Sequence, residues 1–309
     1  MSRTKSSATL KVAIIGSGTV GRATGLALAV NGHDVLFYDT EKVAFTPLPY
    51  FAQRTQELVQ AWNHADVLML CLPTPSEPYG GCNTSIYECV IDDLAKLHAS
   101  KSHGYKLVVQ KSTLPPGTAR RMAVQLHGQP GLNGGSHMGY CVNPEFLNAG
   151  SALRGAVAPE KVIVGVSDVE EEALARKLYG WVHPKRVHVM TYEEAEFAKY
   201  ANNLFHALLI SMWNELQMVA DRQSDVSGAP IDMNRIAQLT AQEPGLESVY
   251  RVFGKAWGGA CLPKDTRAFQ AYARQLGFSP PITTALITVN ELVRSERGEQ
   301  TKHWDDLHK

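Results

Sequence analysis

Two short stretches carry side chains of the kinds that polarise and attack carbon. In Glu196-Phe-Ala-Lys199-Tyr-Ala-Asn-Asn203-Leu-Phe205, a lysine and an asparagine stand four residues apart. On a helix beginning near Tyr192 that spacing puts them one turn apart on one face. There an ammonium and an amide can stabilise one developing oxyanion. Most such pairs are solvated surface; apolar neighbours on both sides favour a sheltered position here. The second stretch is Gly258-Gly-Ala-Cys261-Leu-Pro-Lys264-Asp265. Gly258 and Gly259 free the backbone to approach a ligand, and Pro263 fixes the turn. A neutral thiol is a poor nucleophile, but Lys264 and Lys199 would favour the thiolate if they neighbour Cys261. The competing reading is an inert cysteine, and it is the one adopted for Cys71 and Cys141, which fall in strand-like runs. Cys82 and Cys89 have no evident role.

Three loops add polar groups: Cys71-Leu-Pro73-Thr74-Pro75, Lys111-Ser-Thr113-Leu-Pro-Pro-Gly-Thr118 and Asn143-Pro-Glu145-Phe146-Leu147. Each follows an apolar run, and in an open α/β sheet ligands bind beyond the carboxyl ends of the strands. Thr113 offers a hydroxyl, and Glu145 a carboxylate able to activate water. Alone, each is an ordinary loop residue.

A fourth loop has a more specific chemistry. Gly16-Ser-Gly18-Thr19-Val20-Gly21 follows the apolar run Val12–Ile15 and opens an Ala- and Leu-rich helix. Gly16 permits a tight turn, Gly18 lets a pyrophosphate approach the backbone, and Gly21 allows close helix–strand packing. The next run, Asp34–Tyr38, ends at Asp39, placed to accept from an adenosine ribose hydroxyl. A carboxylate there repels a 2′-phosphate, so NAD is expected over NADP, with Lys42 nearby as the one contrary sign. Pro73, Thr74 and Lys264 join the expected cofactor contacts.

These residues need a scaffold. The first half alternates short apolar runs with helical stretches, as a Rossmann-type doubly wound parallel sheet does. Strands are expected at Leu10–Ile15, Asp34–Tyr38, Val67–Cys71, Leu107–Gln110, Gly139–Val142 and Lys161–Gly165. Helices are expected at Ala23–Val30, Thr55–Trp62, Ile86–Leu97 and Thr118–Leu126. Thr191-Tyr-Glu-Glu194 reads as a capping box, followed by a long helix from Ala195 to about Asp221 and a break at Ser224–Pro230. Helices at Met233–Ala241, Leu246–Val252, Thr266–Leu276 and Ile282–Glu296 complete an all-helical domain, with a loop at Gly254–Pro263 and a polar tail over Arg294–Lys309. The domain boundaries follow: 1–190 for the dinucleotide-binding domain, 191–309 for the helical, dimerising and catalytic one.

Composition narrows the partners. The 309 residues hold thirty basic and thirty acidic side chains, which leaves no electrostatic footprint for nucleic acid or an anionic membrane. Five scattered cysteines argue against a disulfide framework or a structural zinc site, and the histidines lack metal-ligand spacing. No apolar run approaches membrane-span length, and the amino terminus lacks a signal peptide's apolar stretch. A cytoplasmic enzyme without metal is the expectation.

In order, the strings GSGTVG, CLPTP, KSTLPPGT, NPEFLNAG, PEKVIVG, EAEFAKYANNLF and GGACLPKD resemble the UDP-glucose/GDP-mannose dehydrogenase family, from Ile14 to Asp265. That resemblance implies oxidation of the primary alcohol of a nucleotide sugar to a carboxylate, with two NAD⁺ used in succession and no metal. It makes Cys261 the nucleophile that captures the aldehyde as a thiohemiacetal and then carries a thioester. Lys199 and Asn203 stabilise the oxyanions, Asp265 and Thr113 hold water and tune Lys199, and Glu145 assists thioester hydrolysis. Phe146, Leu147, Gly258 and Gly259 form sugar-pocket walls. A homodimer built on the long helix and Pro281–Val293 is also implied. Apart from the resemblance, Trp257 and Lys255 offer a stacking surface and a phosphate contact, or equally a packed aromatic and a solvated charge. The chain departs from the pattern in two ways. It stops before the further α/β domain that grips uridine diphosphate, and the stretches between Asp39 and Cys71 and over Phe253–Trp257 differ from the family form. Two alternatives stand beside this reading. One is a single-step alcohol dehydrogenase of the 6-phosphogluconate or β-hydroxyacid type, which does not need GGACLPKD. The other is a non-catalytic NAD-binding protein.

Overall fold

The computed structural model describes residues 9–42, 48–50, 52–100, 104–127, 138–147, 149–242, 255–259 and 261–296. The expected helix at Leu246–Val252 and the tail beyond Glu296 lie outside them. The chain forms two compact units, one of residues 1–74 with 83–199 and another of residues 75–82 with 200–309.

Among its described residues the first unit holds eight strands, the central ones short apolar runs that are largely buried, as a sheet covered on both faces requires, and the edge ones more exposed. These are β1 (Lys11–Ile15), β2 (Asp34–Tyr38), β3 (Gln53–Thr55), β4 (Val67–Leu70), β5 (Leu107–Gln110), β6 (Gly139–Val142), β7 (Val162–Gly165) and β8 (Val187–Met190). Their order across the sheet is β3-β2-β1-β4-β5-β6-β7-β8. All neighbours run parallel except β6 and β7, which meet antiparallel at Val142 and Gly165. Helices α1 (Thr19–Val30), α2 (Leu58–His64), α3 (Ser85–Ser100), α4 (Thr118–His127), α5 (Ala152–Val157) and α6 (Val169–Leu178) connect them. The order reverses at β1, with β2 on one side and β4 on the other. That switch point is where a doubly wound sheet leaves a crevice.

Strands β2, β5 and β6 match the expected bounds, and β1, β4 and β7 each end or begin one residue away. Three expectations change. Helix α1 starts at Thr19, so the glycine turn leads directly into it. The helix expected over Thr55–Trp62 splits into edge strand β3 and the shorter α2. Strand β8 and helices α5 and α6 add elements the patterns did not give.

Helix α7 (Tyr192–Ser227) spans 36 residues, about 54 Å at the usual rise. Its start is the expected capping box: the Glu194 amide donates to Thr191 Oγ1 (3.3 Å), and Glu194 Oε2 accepts from the Thr191 amide (2.8 Å). The helix continues past the expected end near Asp221 and stops before Gly228, whose φ of 67° favours glycine. Within the first unit, Gly165 lets the helix sit close on β7: a Cβ there would lie 2.7 Å from that of Ala195.

The second unit holds the rest of α7 with α8 (Met233–Thr240), α9 (Leu262–Gln275) and α10 (Pro281–Glu296). Residues Ala207, Ile210, Trp257 and Leu286 make one core cluster, and Trp213, Ala220, Met233 and Ala237 another. Helix α9 begins at Leu262, not Thr266, because Pro263 occupies its first turn, where a missing N–H costs nothing. Among the described residues, no helix is long and apolar enough to cross a membrane.

One histidine ties the start of the sheet to its flank. His33 Nδ1 accepts from the Leu10 amide (3.2 Å), and Nε2 donates to the Leu178 carbonyl (3.1 Å). Only the neutral ring satisfies both. Burial pushes its pKa below the ordinary 6.5, and Lys177 adds to this against the Leu178 bond. The unfolded chain therefore takes up the proton first as pH falls, so this contribution is complete above about pH 6.5 and is lost below it. We expect His33→Asn to cost about 1–2 kcal/mol at pH 7.5 and to flatten the fall in stability between pH 7 and 5. Urea titrations at several pH values would show an unchanged slope if His33 has no such role.

Candidate active site

The cofactor turn is dictated by close backbone approach. Gly16 has φ 96°, and a Cβ on it would fall 2.4 Å from the Cys71 carbonyl oxygen at the end of β4. A Cβ on Gly21 would lie 1.9 Å from the Gly16 oxygen. Both positions therefore exclude a side chain. Gly18, by contrast, faces open space, and as N-cap of α1 it leaves that helix without a side-chain cap. Thr19 and Val20 form the first turn, whose amides suit a pyrophosphate. Asp39 is fixed behind the turn: Oδ2 accepts from the Ser17 amide (2.7 Å) and Oδ1 from that of Glu41 (3.0 Å). A carboxylate has lone pairs to spare for a ribose hydroxyl. This cradle fits a dinucleotide.

Beyond the strand ends, the first unit gathers a charged cluster. Lys199 Nζ donates to Glu145 Oε1 (2.9 Å) and to the Glu145 carbonyl (2.7 Å), and both side chains are buried. Burial alone would raise the Glu145 pKa; the Lys199 ammonium, with the Leu147 amide and Lys111, outweighs it and holds the carboxyl below its ordinary range. Lys111 lies behind them, donating to Asn143 Oδ1 (2.9 Å). Burial brings this second lysine down to about 8. The Phe146 ring has the Lys161 ammonium 4.3 Å and the Lys199 ammonium 5.6 Å from its centroid. The Leu147 amide closes a tight turn onto Glu145 Oε2 (2.6 Å). The Thr113 carbonyl accepts from Thr74 Oγ1 (3.2 Å), which joins the β4 and β5 loops next to Pro73.

The second unit holds the other expected residues. Asp265 is almost fully buried and bridges two partners: Oδ1 accepts from Lys264 Nζ (2.5 Å) and Oδ2 from Asn203 Nδ2 (2.6 Å). Burial works against the Lys264 charge, but Asp265, Cys82 and Cys261 together raise its pKa. Its ammonium is thus committed to Asp265. Cys261 is exposed and forms the N-cap of the fourteen-residue α9, an end that favours negative charge. Gly259 takes φ 76°, and Gly258 and Gly259 are both exposed.

Trp257 is not the stacking surface expected. Its indole N–H donates to Ser211 Oγ (2.8 Å), its amide to Asn290 Oδ1 (2.8 Å), and only 5% of its surface is exposed. It serves as a core anchor for the loop before Cys261. Burial pushes the Cys71 thiol up to about 12 and raises that of Cys141 as well, which disfavours a thiolate at either position. Among the described residues, no three His, Cys, Asp or Glu side chains gather as metal ligands would.

Sequence reading passed over Glu196. It is buried, and its carboxylate accepts from the amides of Gly117 (2.7 Å) and Ala119 (2.8 Å) and from Gln110 Nε2 (3.3 Å). Burial raises its pKa to about 7 despite those bonds. Its only advance signal was a carboxylate inside an otherwise apolar stretch, EFAKYA.

Comparison with known proteins places this architecture. Residues 51–183 match the family model for the UDP-glucose/GDP-mannose dehydrogenase NAD-binding domain, and residues 193–292 match the model for the family's central domain. A putative UDP-glucose 6-dehydrogenase of Bacillus subtilis is 28% identical over 91% of this chain and 68% of its own length. A GDP-mannose 6-dehydrogenase of Pseudomonas putida is 26% identical over 91% of this chain and 68% of its own. The solved structure of a UDP-glucose dehydrogenase from Pyrobaculum islandicum superposes with a TM-score of 0.81 at 27% identity, covering 96% of this chain and 73% of that one. With the glycine turn, Asp39 and the two matched domains, the chain belongs to the UDP-glucose/GDP-mannose dehydrogenase family of NAD-dependent dehydrogenases.

Proposed function

We propose that this chain oxidises the primary alcohol of a nucleotide sugar or related nucleotide to a carboxylate, with Cys261 carrying the carbon between two oxidations. Two separate observations support it: an exposed thiol at the N-cap of α9 in the second unit, and in the first unit a buried ammonium, Lys199, held by Glu145. Gly16, Gly18, Thr19, Val20, Gly21 and Asp39 hold the dinucleotide, with Pro73 and Thr74 at its edge. NAD, when bound, supplies the hydride acceptor.

The remaining chemistry belongs to the chain. A metal-free, four-electron oxidation needs a covalent anchor so that the aldehyde is not lost. The Cys261 sulfur adds to the aldehyde carbon, giving a thiohemiacetal, and the second oxidation leaves a thioester. Lys199 and Asn203 stabilise the oxyanion at each stage. Glu145, kept ionised by Lys199, takes a proton from the water that splits the thioester, which frees the carboxylate and the thiol. Asp265 orients the Asn203 amide, since it already accepts from that group. Phe146, Leu147, Gly258 and Gly259 line the sugar site in this reading.

The same reading includes a homodimer. Phe205, Met212, Leu216 and Val219 are exposed on α7, at spacings that fall on one face. A second copy of this stripe buries both at once, as a two-fold interface does. Soluble cytoplasmic action fits the proposed substrate class.

Four outcomes are expected. A screen of UDP-sugars, GDP-mannose and simple nucleotides should find a substrate that yields two NADH per molecule. Cys261→Ser should then lose carboxylate formation by at least roughly 10³-fold while binding is kept. One NADH per substrate, indifferent to Cys261, would establish the single-step alternative. Asp39→Ala should raise the KM for NAD roughly tenfold or more and narrow the preference over NADP; an unchanged KM would remove Asp39 from the cofactor site. Light scattering should report a dimer for the wild type and a monomer for Met212→Glu/Leu216→Glu. A monomeric wild type refutes the interface.

A further inference from the structure

Three polar side chains on the first turns of α7 point into the first unit at positions i, i+4 and i+7. Tyr192 donates to Glu171 Oε1 (2.8 Å), Glu196 accepts at the start of α4, and Lys199 pairs with Glu145. The middle one is unusual in what it holds. Its donors, Gln110 on one side and Gly117 and Ala119 on the other, bracket the loop that carries Thr113. One carboxylate therefore grips both ends of that loop, reaching 77 and 79 residues back along the chain for the two amides.

The network extends further into the sheet. Gln110 Oε1 accepts from the Tyr140 hydroxyl (2.8 Å), which lies 3.1 Å from that of Tyr87. Because Tyr140 gives its proton to Gln110, Tyr87 donates to Tyr140. Donation therefore runs from Tyr87 to Tyr140, to Gln110, and ends at Glu196. Such a chain fixes the Gln110 amide with its nitrogen toward α7. A surface ion pair between Arg120 and Glu193 joins the same two helices at 2.6 Å, but it is exposed and holds neither end of the loop. Burying a carboxylate is costly, and an apolar residue would pack α7 on α4 more cheaply. Its presence is explained by what it aligns.

We propose that Glu196 is a positioning residue for the oxidation, setting the Thr113 loop and the Lys199 turn of α7 in one register. The proposal rests on the reading of Lys199 and Thr113 as parts of the reaction site. Glutamine at 196 keeps the volume but presents an NH₂ group either to the Gly117 amide or to Ala119 and Gln110 together, so at least one of the three bonds is lost.

The test uses the full chain. Glu196→Gln should lower kcat by about tenfold or more with the KM for NAD within about twofold. Glu193→Gln, which removes only the exposed pair, should leave both within about twofold. Amide exchange followed by mass spectrometry should show the peptide covering 111–119 exchanging at least about tenfold faster in Glu196→Gln, with β1 and β2 unchanged. If Glu196→Gln fails to fold, Gln110→Leu carries the same comparison, with kcat reduced several-fold at unchanged KM. Unchanged kcat, a parallel loss of kcat and NAD affinity, or unaltered exchange over 111–119 overturns the proposal. A wild type with no turnover on any nucleotide sugar refutes the assigned reaction instead, and the exchange measurement still decides the role of Glu196.

Discussion

Burying an ammonium is costly, and a well-placed carboxylate offsets that cost; in the first unit the Lys199–Glu145 pair meets that condition. The lysine is delivered by a helix and the glutamate by the loop after β6, so the pair fixes a helix turn and a strand end to one another. The bond from Lys199 to the Glu145 backbone oxygen adds a geometric lock to the electrostatic one. Removing either charge would leave the other uncompensated, with the neighbouring Lys111 making a lone Lys199 costlier still. The capping box at Thr191, the glycine at 165 and the Tyr192 hydroxyl all act to bring that helix turn to its partner.

The same logic recurs at Asp265, in the second unit. One carboxylate takes an ammonium on one oxygen and an amide on the other, so Lys264 and Asn203 are set with a single side chain. This spends the charge of Lys264 within the protein. Cys261, three residues before Lys264, is exposed at the helix end.

How far this was legible differs by element. Strands β2, β5 and β6 were readable because uninterrupted apolar runs end at polar loop residues. Strand β3, Gln53-Arg-Thr, was not, since an edge strand of three polar residues has no pattern to show. Strand β8 also lies at an edge and is only partly buried, so its short Val-His-Val-Met run looks like a loop. Helix α6 could have been found: Asp168 caps it, glutamates fill its first turn, and Arg176 and Lys177 its last. The start of α9 was misplaced because Pro263 was read as a turn residue and not as a first-turn helix residue. At the candidate site, residue types and spacing pointed to Lys199, Asn203 and Cys261, and the family resemblance to Asp265. They could not give the partners, which come from remote segments: Glu145 for Lys199, and backbone amides for Glu196. Trp257 was misjudged because an aromatic beside glycines reads equally as a stacking platform or a core anchor, and only burial decides.

The anchoring of that tryptophan reaches along the second unit to α10. Asn290 brackets the Trp257 backbone, accepting from its amide and donating to its carbonyl, and Arg294 donates to the same carbonyl at 2.9 Å. The glycines leading to Cys261 are thus moored by the final described helix. Anyone trimming this polypeptide, or fusing another module to it, would need to keep the chain intact through Arg294, because a shorter version would unfasten the thiol-bearing segment while leaving the dinucleotide fold untouched.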